Sequence, residues 1–426
     1  MKVCDIVQFS KENYFNGAVQ TEWFYDKSKI RTIAESYIFH GPKYYGVSDA
    51  DISLGRHKLI DSASFAKQLT EKMYSAKPTN SFLMTIAGYG TGKSHLAVSL
   101  GALYSGSVEL SNIVTENISN ADRDISDYIY QTNIRKNLIL VLNGMNNFNL
   151  DSEILKCARL ALEQNGIDDS ILRHITKSYN IAKHFVERTF PMCEAQFNRA
   201  AKGHGLTVTG TGLKTYLTDN VEADSKVLET INEVYSELNG DGIHWDRGIS
   251  AGDVLTVLQS ELCGQDRPFN KVLILFDEFG RYIEYAAANP AIAGEASLQQ
   301  IFEAVQGAEG KVIFVGFIQS ELDAYLSRID KTSNIIRYVG RYKGSENLYL
   351  SSNFETILAN LIKKIDSTTH EIVIGNALSR YEKFHSSIES ALNRWDKSAV
   401  KKSVWTTSSL YKTVILRGCY PLHPIT

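Results

Sequence analysis

At 426 residues, 43% hydrophobic and 22% charged, the chain is long enough for two or three packed units, and its composition excludes a disordered or fibrous protein. A formal net charge of −3 gives no global attraction to nucleic acid or to an anionic membrane, although it leaves room for a local basic face. The five cysteines (Cys4, Cys157, Cys193, Cys263, Cys419) contain no CxxC and are too widely spaced for a zinc site or a disulfide framework, so reduced, mostly buried thiols are expected.

Residues 1–60, rich in aromatics and turn formers such as Trp23, Phe24, Tyr25 and Phe39, read as an N-terminal extension packed on a core. Over 62–75, Phe65, Leu69 and Met73 recur at helical spacing. The apolar run 81–86 ends in glycines and predicts a buried strand entering a tight turn, followed by a helix over 94–104. A second buried strand at 137–142 closes the first part of the core, 61–150. Residues 151–265 are mostly helix-patterned and read as an insertion, broken by the Gly/Thr-rich stretch 203–215. A third strand at 271–276, a helix at 297–306, a fourth strand at 312–317 and a fifth at 347–350 make up the second part of the core, 266–352. From Phe354 to about 400 the pattern is helical, within a C-terminal region 353–426.

Strands alternating with helices predict an α/β fold with a parallel sheet of about five strands flanked by helices. No apolar run approaches membrane-span length and no signal peptide opens the chain, so a cytoplasmic protein without a membrane partner is expected. The chain stops at Thr426 soon after the apolar run Val414-Ile415-Leu416, with no polar tail, and so reads as a fragment of something longer.

The first strand leads into Ala87-Gly88-Tyr89-Gly90-Thr91-Gly92-Lys93-Ser94 and then a helix that continues through His95, the Walker A pattern with Ala in first place. Glycines at 88, 90 and 92 let successive backbone N–H groups face phosphate oxygens, and the helix adds its positive end. Lys93 is expected to reach the β- and γ-phosphates of ATP, and Ser94 to ligate Mg²⁺. Ala87 through His95 form the expected cofactor-binding set. The stretch Thr209–Thr215 imitates this pattern, but Leu213 separates glycine from lysine and no strand feeds it, so it reads as a flexible loop, with contact to a substrate or partner as the alternative.

The third strand ends in Asp277-Glu278, the Walker B shape: Asp277 to hold Mg²⁺ and Glu278 to act as general base. At the end of the fourth strand Gln319, with Ser320 second, is a candidate for orienting water or sensing the γ-phosphate; capping a helix is the alternative for Ser320. Arg337 and Arg341 are candidates for an arginine finger reaching a neighbouring subunit's nucleotide, against the alternative of surface ion pairs.

These motifs, with an extra strand between them, resemble the additional-strand, catalytic-glutamate class of P-loop ATPases, to which AAA+ proteins belong. The resemblance covers about 81–350 and departs in spacing: 184 residues separate Lys93 from Asp277, which implies a helical insertion. The phrases Asn16-Gly17-Ala18-Val19-Gln20, Phe39-His40-Gly41-Pro42 and Pro421-Leu422-His423-Pro424 are similar to N-terminal ATPase portions of large bacterial antiphage-defence ATPases of the BREX type. That resemblance implies a bacterial defence setting, possible DNA-linked work and a further C-terminal part. The leading expectation is a motor or switch ATPase working as a homo-oligomer or in a multi-protein complex. The alternative is a nucleotide-gated scaffold that hydrolyses ATP slowly and recruits an effector or DNA. A small-molecule kinase is disfavoured by the Asp-Glu pair and the insertion.

Overall fold

The computed structural model describes residues 2–9, 17–41, 43–44, 47–48, 53–54, 57–75, 80–88, 90–132, 135–173, 177–221, 225–243, 250–350, 361–381, 384–395, 408 and 411–422. Its centre is a seven-stranded sheet of β1 (Ser53–Leu54), β2 (His57–Ile60), β3 (Phe82–Ile86), β4 (Leu138–Asn143), β5 (Val272–Asp277), β6 (Val312–Ile318) and β7 (Glu346–Leu350). The spatial order is β1-β2-β7-β3-β6-β5-β4. Six strands run parallel, and only β1 pairs antiparallel, at the edge. The sheet is therefore wider than the expected five strands. The addition is the β1–β2 hairpin, whose β2 is short and half-exposed at Leu59 and Ile60, so it lacks the apolar run that marks the central strands.

Strands β3, β4, β5 and β6 are almost wholly apolar and buried because both sheet faces are covered there, and alternate residues serve different cores. Leu138, Leu140 and Leu142 of β4 and Val272, Ile274 and Phe276 of β5 face one cluster. Ile139, Val141, Leu273 and Leu275 face the other. The second cluster also takes in Phe24, Ile33, Ala34 and Phe39, together with Leu96, Leu100 and Leu103 of helix α3 (Lys93–Tyr104), so these N-terminal residues pack on the core. Within it, helix α1 (Lys27–Ser36) lies against α3. The Phe39-His40-Gly41 phrase has a local structural role. The His40 backbone N–H donates to Ser62 Oγ at 3.0 Å, at the start of helix α2 (Ser62–Tyr74), and a Cβ on Gly41 would meet the Ala121 carbonyl oxygen at 2.7 Å. Helices α4 (Val108–Ala121) and α5 (Arg123–Gln131) add to this face.

The insertion divides differently from the sequence reading. Its first helix, α6 (Leu150–Gln164), and its last, Ala251–Leu262, bury Ile154, Leu155, Val254 and Leu258 in the first sheet cluster and so belong to the core. Between them Lys177–Gly203, Thr211–Asp219 and Ser225–Asn239 form a helical module around its own apolar centre of Val186, Phe197, Leu217, Ile231 and Val234. The stretch read as a flexible loop at 209–215 supplies the start of the middle helix, with Gly210 at φ 66° before it and Leu213 fully buried in the module. The C-terminal region is not wholly helical: Ile362–Lys364 pairs antiparallel with Val7–Phe9, ahead of helices Ser367–Tyr381 and His385–Trp395. All five cysteines are free thiols, with only Cys4 exposed. No described helix is long and apolar enough to cross a membrane.

Candidate functional site

Parallel strands bring their carboxyl ends to one edge, where ligands of open α/β sheets bind. Strand β6 lies between β3 and β5 and pairs with both. The loop after β3 is tied to the end of β6 by the Ala87 N–H donating to the Ile318 carbonyl at 3.0 Å. Gly90 and Gly92 sit at φ 73° and 80°, backbone conformations that side chains disfavour. The loop thus turns sharply before the first turn of α3, which starts at Lys93. Thr91 Oγ1 closes it by donating to the Gly88 carbonyl at 2.9 Å. Tyr89 lies outside the described residues.

Lys93 is buried, its Nζ donating to the carbonyls of Gly88 and Ala87 at 3.0 and 3.3 Å and standing 3.8 Å from Glu278 Oε1. Ser94 Oγ donates to Asp277 Oδ2 at 2.5 Å. Residues 183 positions apart thus meet through the sheet. Asp277 is buried, and that burial pushes its carboxyl up to about 6 from an ordinary 3.8; the Ser94 bond opposes the shift, the Glu278 charge adds to it, and Lys93 opposes it.

Glu278 adopts φ 51°, a left-handed conformation that costs a non-glycine residue about 1–2 kcal/mol. Its neighbours leave it little choice. The Glu278 N–H donates to Asp277 Oδ1 at 3.0 Å, and helix Phe279–Ala288 starts immediately after it. The Gly144 N–H donates to the Asp277 carbonyl at 2.8 Å, and a Cβ on Gly144 would lie 2.3 Å from the Glu278 carbonyl oxygen. Gly280 is equally constrained, since a Cβ there would meet the Tyr325 ring at 2.2 Å. Gln319 Nε2 donates to Glu278 Oε2 and Oε1 at 3.0 and 3.3 Å, while the Gln319 N–H donates to the Tyr325 hydroxyl at 3.1 Å.

Lys93, Ser94, Asp277, Glu278 and Gln319 therefore converge. Ser320, the second candidate beside Gln319, is half-buried just after β6, and the cap position of the helix that follows, Leu322–Leu326, is held by Glu321. The His95 side chain does not join the cluster. Its Nε2 lies 2.7 Å from the Ile33 carbonyl and 3.3 Å from Ser36 Oγ, its ring meets Tyr37 edge-on, and burial lowers its pKa to about 4. It pins α3 to α1. The arginines are also apart from the cluster. Arg341 pairs with Glu303 at 2.7 Å, and the exposed Arg337 lies over the Tyr338 ring.

The donor set fits a hard divalent cation bound together with a phosphate chain. A serine hydroxyl and a carboxylate meet at one point, and Mg²⁺ takes few protein ligands, completing its shell with water and phosphate oxygens. No cluster of three or more His, Cys, Asp or Glu among the described residues could hold a metal by itself. Gly144, Gly280 and Tyr325 were not singled out from sequence. A glycine directly after the strand-ending Asn143 was the available signal for a close backbone approach. No protein-family model matches the chain, and no curated protein matches it.

Proposed function

We propose that the chain binds and hydrolyses ATP with Mg²⁺ as a P-loop ATPase of the additional-strand, catalytic-glutamate class. The observation that carries this reading is the meeting of Lys93, Ser94, Asp277 and Glu278 at the carboxyl edge of a parallel sheet, with Gln319 bonded to Glu278. The loop N–H groups and Lys93 would hold the phosphates, and Ser94 and Asp277 would ligate the cation. A Mg²⁺ ion bound there would offset charge on the phosphate chain. Glu278 would take a proton from the attacking water and Gln319 would orient that water.

The narrower expectations, conformational work in a bacterial antiphage-defence complex, assembly as an oligomer and contact with DNA, rest on resemblance and on the exposed Arg337. The second reading, a slow nucleotide-gated scaffold, is favoured by the helical module at 177–243, whose own apolar core makes it suited to carry a partner surface. Turnover measured with and without DNA separates the two, since a DNA-linked motor speeds up and a scaffold does not.

The test of the chemistry is Glu278→Gln. It is expected to keep ATP binding and lose turnover by about 10²-fold or more, the usual worth of a positioned base. Turnover at the unmutated rate would rule out Glu278 as the base.

A further inference from the structure

Beside the proposed site lies a carboxylate that the chemistry above does not use. Glu22 sits in a short 3-10 turn, Thr21–Tyr25, directly after the Gly17-Ala18-Val19-Gln20 part of the phrase noted in the sequence. It is half-buried, and its carboxylate accepts hydrogen bonds from two asparagine side chains. Asn143 Nδ2 donates to both oxygens at 3.0 Å, and Asn146 Nδ2 donates to Oε1 at 2.5 Å.

Those asparagines form the turn that abuts Asp277 and Glu278. Asn143 ends β4 directly opposite Asp277 in the parallel register. Its Oδ1 accepts the Met145 N–H at 3.0 Å and its carbonyl accepts the Asn146 N–H at 3.2 Å, so the turn is closed on itself. Between them, Gly144 donates to the Asp277 carbonyl and presses against the Glu278 carbonyl. A strained residue such as Glu278 keeps its conformation only where its surroundings over-determine it. The Asn143–Asn146 turn is one of those surroundings, and Glu22 fastens it from the N-terminal segment. The neighbouring Tyr25 adds a second tie to the same strand, its hydroxyl accepting the Val141 N–H at 2.9 Å.

We propose that Glu22 is a positioning residue. Through Asn143 and Asn146 it braces the turn that holds the backbone of Asp277 and Glu278, so the N-terminal segment sets the geometry of the base. This rests on the reading of Glu278 as general base, and the test keeps the two apart. Among the described residues no hydrogen bond or ion pair joins Glu22 to the phosphate loop or to Ser94, so its loss acts on the chemical step and spares nucleotide binding.

The experiment uses the full chain with Glu22→Ala, Glu22→Gln and Asn146→Ala. Glu22→Ala is expected to lower kcat about tenfold or more while ATP affinity stays within about twofold, the pattern of an interaction that acts in the transition state. Glu22→Gln, which retains one carbonyl oxygen facing both amides, should recover most of the loss, and Asn146→Ala should give a smaller loss of the same kind. Hydrogen exchange of the 144–147 amides in the nucleotide-free chain reads the brace without any turnover. Faster exchange in Glu22→Ala by about tenfold is expected, because a local opening that loses its fastening is populated more often. Unchanged exchange, or an unchanged kcat in a chain that hydrolyses ATP, overturns the proposal. Parallel loss of kcat and ATP affinity also overturns it, since that marks a general structural role. If the unmutated chain does not hydrolyse ATP, the ATPase reading fails, while the exchange result still decides the brace.

Discussion

Replacing Asp277 with asparagine should make the nucleotide-free protein more stable at neutral pH while abolishing its proposed activity. Asp277 is buried with its carboxyl shifted from 3.8 to about 6, chiefly by desolvation. A carboxyl whose folded pKa is raised binds its proton more tightly when folded, so the ionised form costs stability. That cost is absent below about pH 3.8, grows as pH rises towards 6, and is fully present above it. A gap of this size corresponds to about 3 kcal/mol, at about 1.4 kcal/mol per pH unit. The substituted side chain would carry no charge, and its amide oxygen can still accept the Glu278 N–H. Denaturant unfolding of both proteins at pH 8 and pH 5 measures the difference. The variant is expected to be more stable by about 3 kcal/mol at pH 8 and by about half as much at pH 5. An equally stable or less stable variant at pH 8, or a difference that does not change with pH, would refute the argument that a buried charge is held here against its solvation.

Gly144→Ala places a Cβ 2.3 Å from the Glu278 carbonyl oxygen; forced overpacking of this kind costs about 1–3 kcal/mol, so a lower unfolding midpoint is expected together with reduced turnover, and an unperturbed variant would show that the close approach is not enforced. Arg337→Ala is expected to lower turnover at least about tenfold with ATP affinity unchanged if a neighbouring subunit's Arg337 completes the site; mixing it with Lys93→Ala should then restore activity, and a monomer by light scattering with no rescue would contradict a shared site. Arg341→Ala should have the smaller effect, because Arg341 is already engaged by Glu303.

Much of the fold was legible because its strands are buried on both faces and read as unbroken apolar runs. The strands at 82–86, 138–143, 272–277 and 312–318 fall where those runs lie. The His57–Ile60 strand was not legible, because an outer strand with half-exposed residues has no such run. The insertion's limits were hidden for a related reason: Ile154 and Val254 carry the same helical periodicity as Val186 and Ile231, and periodicity does not say which core a helix faces. At the site, the local motifs named Lys93, Ser94, Asp277 and Glu278, and β6 added Gln319. The His95 side chain leaves the loop to meet Ile33, a contact between elements that no local pattern encodes. Glu22 was out of reach for the same reason, since its partners Asn143 and Asn146 lie more than a hundred residues away.

The central claim is that Lys93 and its loop form a phosphate site for Mg²⁺-bound ATP. Calorimetric titration of Mg·ATP into the unmutated chain and into Lys93→Ala tests it most directly. Lys93 supplies a buried cation at the loop, so the account predicts saturable binding to the unmutated chain and at least about tenfold weaker binding to a folded variant. Equal affinity in both proteins, or no binding to the unmutated chain, would contradict it.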